Sequence, residues 1–153
     1  MNPIFHRRDV LRAGLVLTAG LVTPATQACE FFSTHLRITH PWTRASAEGD
    51  RSAVVCMRFD EVLRDDRLIG VETPVAGEAE LAGVDQWGAP ANPVLDLAIA
   101  QGQETLLSEA GTHIRLLDLR LPLEAGRAYP LTLTFAGGGV IQASLSVDFA
   151  RFF

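Results

Sequence analysis

From Phe31 onward the apolar residues fall in short runs, alternating with polar ones and separated by Pro, Gly or acidic turns. Leu36-Arg37-Ile38-Thr39 alternates and is expected to end at His40-Pro41-Trp42. Ala53 to Phe59 places Ala53, Val55, Met57 and Phe59 on one face of a strand and Val54, Cys56 and Arg58 on the other. Further strands are expected over Arg67–Glu72, Glu78–Val84, Val94–Ala100 and Thr105–Leu107. His113–Leu119 is the most convincing apolar strand and is expected to be central. Tyr129–Phe135 follows, and Gly137-Gly138-Gly139 is a hairpin signal into Val140–Phe149. No long segment has helical period. Short strands at regular spacing, punctuated by Pro and Gly, predict an all-β sandwich.

The His113 strand carries the candidate chemistry. Period-two geometry puts His113 and Arg115 on one face, about 6.5–7 Å apart at Cα, and Asp118 on the other. A His–Asp–Ser relay has no support in that spacing. The chain also lacks a Gly-x-Ser-x-Gly elbow, a phosphate-cradling glycine loop and a paired-cysteine zinc pattern, so no enzymatic reading stands. Met57 shares a face with Val55 and Phe59, which assigns it to the core. Trp42 and Trp87 are assigned to core and loop packing.

The N-terminus alters the picture of where this domain works. Arg7-Arg8 and Arg12 precede an apolar run from Ala13 to Val22, followed by Thr26-Gln27-Ala28. A charged segment, a short apolar run and small residues read as a signal peptide over 1–28, of twin-arginine type, leaving one domain over 29–153 in the periplasm. The apolar run is too short for a bilayer span, so the mature chain has no transmembrane segment. Cys29 directly after Ala28 also admits a lipoprotein signal. Loss of 1–28 turns 13 basic and 18 acidic side chains into 10 and 17, a net charge of −7. Such an acidic chain, without a single lysine, has no electrostatic footprint for nucleic acid. Two cysteines, Cys29 and Cys56, do not make a disulfide scaffold, although one bridge between them is chemically open in an oxidising compartment.

Several segments, in order, resemble the periplasmic copper chaperones of the PCu(A)C family: His40-Pro41-Trp42-Thr43-Arg44-Ala45, Asp66 to Pro74, Gly111-Thr112-His113-Ile114, Leu121 to Gly126 and Tyr129 to Phe135. The resemblance runs from about Leu36 to Val147. It implies a cupredoxin-like Greek-key β-sandwich, a non-enzymatic role, Cu(I) as cargo and a partner in cytochrome c oxidase assembly. It also implies a ligand set of His, Met, a later His and a Met two residues beyond. His113 matches the later histidine, but Arg115 stands where that Met is expected. The first histidine would fall near Ala82 and the other Met near Val94. Soft sulfur suits Cu(I), so a guanidinium in its place opposes the inherited function. Two expectations follow: a weakened or relocated copper site, with Cys29 and His35 (and His40 beside them) as a tail site, or a metal-independent binding module on the same fold.

Overall fold

A computed structural model describes residues 29–148; the expected leader over 1–28, and Phe149 at the end of the last expected strand, lie outside them. The described residues form ten strands: β1 (Glu30–Phe32), β2 (Arg37–Arg44), β3 (Ser52–Asp60), β4 (Asp66–Glu72), β5 (Glu78–Ala82), β6 (Leu97–Ile99), β7 (Thr105–Leu107), β8 (His113–Leu117), β9 (Ala128–Phe135) and β10 (Gly139–Asp148). They lie in spatial order β5-β8-β3-β2-β10-β9-β4-β6, with β1 beside β2 and β7 beside β3. Pairing is antiparallel except between β2 and β10, which run parallel. β4 and β5 approach one another, so the bent sheet nearly closes on itself. The all-β expectation holds, and no described residue is helical.

Alternation explains the core. Val55, Met57 and Phe59 of β3 turn inward with Ile38, Leu68, Ile99, Leu107, Ile114, Leu116, Leu131, Leu133 and Leu145. Phe59 meets Phe135 edge-on, with ring centroids 6.0 Å apart. Each such side chain contributes on the order of 1.5–3 kcal/mol through burial. Val75, Leu123 and Val147 form a smaller cluster beside this core.

Several boundaries differ from the sequence reading, and the strand expected over Val94–Ala100 is reduced to β6 at Leu97–Ile99. β1 was not anticipated, because three residues do not establish a period; it pairs Glu30 with Thr39 and Phe32 with Arg37. β2 does not stop at His40-Pro41-Trp42. Its ladder with β3 shifts register between Thr39 and Trp42, and His40 takes φ 48° there. Pro41, which has no N–H to donate, fits inside such a bulge. β5 ends at Ala82 because Gly83 turns away at φ +85°, and β8 ends at Leu117 because Asp118 adopts φ 53°. β8 is also not central: only β5 separates it from one end of the strand order.

Candidate functional site

The register of β5 on β8 builds the site. Ala82 lies opposite His113, and Glu80 opposite Arg115. Residues paired in this way share a face, so His113, Arg115 and Glu80 line one side of the strand pair with Ala82, itself buried, while Ile114 and Leu116 point into the core. Arg115 Nε donates to Glu80 Oε1 at 2.8 Å, and a terminal guanidinium nitrogen reaches the same oxygen. Arg115 is therefore held across the strand pair, not left to swing into water.

His113 is half-buried, and its Nδ1 lies 3.0 Å from the carbonyl oxygen of Gly111. A carbonyl can only accept, so Nδ1 carries the ring proton and Nε2 keeps the lone pair when the imidazole is neutral. Glu109 is close by. Its hydrogen bonds from Arg44 (Nε 2.5 Å, Nη2 2.8 Å) hold its carboxyl below the usual range against partial burial, with a smaller contribution from His113. Beneath this pair Cys56 is buried, and burial pushes its thiol up to about 11. It packs as a small apolar side chain.

The loop after β5 is fastened beside His113. Thr112 Oγ1 donates to Val84 O, Ala91 N to Gly83 O, and Asp85 Oδ1 accepts from the N–H groups of Trp87 and Ala89. The last two bonds make a rigid turn that holds Trp87 81% exposed, which corrects its assignment to packing. Trp42 is half-buried and stacks on His40, with centroids 6.5 Å apart. Val94, where a second family sulfur would fall, is exposed.

The tail residues are not brought together. His35 is buried; its Nε2 lies 2.5 Å from Asp66 Oδ2 and its Nδ1 2.9 Å from Thr34 Oγ1. Cys29 lies at the other end of β1, where its carbonyl accepts from His40 N and its Sγ is 3.9 Å from Ser146 Oγ. Three strand residues separate that end from the turn that carries His35, at least about 10 Å along the hairpin. His40 instead bonds Asp148 through Nε2 at 2.9 Å. No disulfide joins Cys29 to Cys56. The Thr34–His35–Asp66 line has the order of a nucleophile, base and acid, but the neighbouring N–H groups of His35 and Leu36 are both taken by Ser33 Oγ. With those donors occupied it offers no oxyanion hole, and it is a structural clasp.

As a receptor for Cu(I), the patch offers one imidazole and no sulfur. Met57 is 2% exposed in the core, and the described residues contain no group of three His, Cys, Asp or Glu side chains placed to hold a metal. Sequence reasoning missed Glu80, Gly83, Glu109 and Asp66. Gly83 and Gly111 carried a faint signal as glycines flanking strand ends. The Glu80–Arg115 and His35–Asp66 pairings, 35 and 31 residues apart in the chain, carried none.

The family model of LpqE-like lipoproteins matches residues 36–147. Among solved structures, the apo PCuAC domain from PmoF1 superposes with a TM-score of 0.68 at 26% identity, over 78% of this chain and 98% of that one. The copper-bound PCuAC domain from PmoF2 gives 0.68 at 25% identity, over 78% and 97%. Cu(I)-bound DR1885 from Deinococcus radiodurans gives 0.63 at 23% identity, over 82% and 83%, and supports the fold alone. No curated protein matches the chain. The fold is that of a PCuAC domain, cupredoxin-like, as the resemblance implied.

Proposed function

The chain belongs to the LpqE-like family, and from that premise we propose that it is an exported, non-enzymatic copper-handling protein of the PCuAC kind whose own metal contact is reduced to His113. One observation carries this reading: the His113 ring is fixed through Nδ1, with Nε2 left as a donor atom on a patch that has Ala82 opposite and Arg115 alongside. A ligating histidine is commonly oriented in this manner by a bond from its other nitrogen. A lone imidazole gives weak, exchangeable contact, which suits passage of copper onward and not storage. In this reading the remaining ligands come from the recipient, an exported assembly partner of a copper enzyme such as cytochrome c oxidase. The leader over 1–28 supplies periplasmic export, by the twin-arginine route or, if Cys29 is acylated, as a lipoprotein.

A second reading has its own observation. The Arg115–Glu80 pair joins β5 to β8 without any metal, which favours a metal-independent binding module on the same scaffold. Titration of the mature protein with Cu(I) against a competing chelator, alongside His113→Ala, separates the two. Weak binding that disappears in H113A supports the chaperone-like reading; no binding by either protein supports the module. Sub-micromolar affinity that survives H113A would overturn both.

A further inference from the structure

The geometry points to Gly83 as the positioning residue for His113, and to Nε2 as the ring atom it leaves open for a lone-pair acceptor such as a copper or zinc cation. We infer this from one close approach. A Cβ built at Gly83 would sit 2.0 Å from the Gly111 carbonyl oxygen, 2.9 Å from His113 Nδ1 and 3.0 Å from the Gly111 carbonyl carbon. The two contacts with Gly111 are with backbone, which cannot rotate away as a side chain would. Gly83 is also at φ +85°, where L side chains are strained. The missing side chain lets the Gly111 carbonyl enter the space beside β5, and that same carbonyl takes the Nδ1 proton of His113 at 3.0 Å. The arrangement is fastened on both sides: Ala91 N donates to Gly83 O, Gly111 N to Ser108 O, and Thr112 Oγ1 to Val84 O.

The consequence is a chosen tautomer. In water the neutral imidazole favours the proton on Nε2, which would direct a metal to Nδ1, close to the backbone. Gly83 reverses that preference through Gly111. The proposal rests on the reading of His113 as the copper contact, but its test uses metal-free protein. A failed copper titration and a failed tautomer are therefore separate results.

The experiment is a long-range proton–nitrogen correlation spectrum of the mature, metal-free protein, recorded about two pH units above the ordinary imidazole pKa so that the rings are neutral. The spectrum of His113→Gln identifies the His113 signals. The wild type is expected to show Nδ1 protonated and Nε2 bare. In Gly83→Ala, Gly111 must move, and the His113 pattern is expected to shift toward the Nε2–H form while the His35 signals stay in place. Gly83→Asn carries a Cβ into the same space with a residue that tolerates positive φ, so it provides a folded variant if G83A does not fold. Wild-type protein with Nε2–H at His113 overturns the proposal without any variant. A folded G83A or G83N that retains the Nδ1–H pattern overturns it as well.

Discussion

A carboxylate withdrawn from water needs donors, and Asp66 receives three: His35 Nε2 at 2.5 Å, and the N–H groups of Arg67 and Gly137, each at 2.8 Å. Burial raises the Asp66 pKa, but the Gly137, Arg67 and His35 hydrogen bonds outweigh it and hold the carboxyl below its usual range. Removing it leaves the buried His35 ring and two backbone N–H groups without their acceptor, at about 1–3 kcal/mol for each unsatisfied group, so Asp66→Ala is expected to lose on the order of 3 kcal/mol or more of stability at neutral pH by urea unfolding. The sign with pH follows from the lowered folded pKa. The contribution is complete above the unfolded value of about 3.9 and is lost as pH falls through the folded value below it. Stability measured between about pH 5 and pH 2 is therefore expected to fall less steeply in Asp66→Asn than in wild type. A steeper fall in the variant would contradict the pairing. Met57 offers the opposite test. It is the one methionine left after residue 28 and lies in the core, so Met57→Leu is expected to cost under about 1.5 kcal/mol and to leave copper titration unchanged. Loss of binding in M57L would make sulfur part of the site after all.

At the scale of the element, β8 shows what a strand pattern can and cannot reveal. Ile114 and Leu116 facing inward, with His113 and Arg115 outward, was legible from alternation alone. So were β3 and most of β9, whose apolar residues recur at every second position. The end of β8 left a trace that the sequence reading passed over: Leu116-Leu117 interrupts the alternation and puts polar Asp118 in phase with Ile114 and Leu116, and there the backbone turns to φ 53°. Asp tolerates that region better than most L residues. Asp118→Val is therefore expected to lose about 1–2 kcal/mol relative to Asp118→Asn in paired denaturation curves. The loss would come from backbone, since the Arg51–Asp118 ion pair is largely exposed and is absent from both variants. Equal stability of the two variants would remove the strain argument. Register was invisible for a different reason. His113 stands opposite Ala82 because β5 and β8 pair across 30 residues of intervening chain, and nothing local to either strand states the match. The resemblance implied ligand positions near Ala82 and Val94 and at Arg115. It did not show that Arg115, the expected obstacle, had gained Glu80 as a partner.

For the whole molecule, the question is whether the fold depends on metal. Five residue pairs join β5 to β8, with Ile114 and Leu116 fully buried beneath them and the Arg115–Glu80 pair across them. That edge is complete from protein contacts alone. A ligand that binds only the folded state stabilises it by about 2.7 kcal/mol at a hundred times its Kd. For a domain of this size that corresponds to a rise in Tm of roughly 5 °C or more. A single imidazole with no sulfur beside it reaches no such saturation at micromolar metal. Mature protein heated with a several-fold excess of Cu(I) under reducing conditions is therefore expected to shift by less than about 1 °C, with H113A indistinguishable from it. A rise of about 5 °C that vanishes in H113A would mean that other ligands join His113 from within this chain. A rise that persists in H113A would place the metal elsewhere, away from the β5–β8 patch.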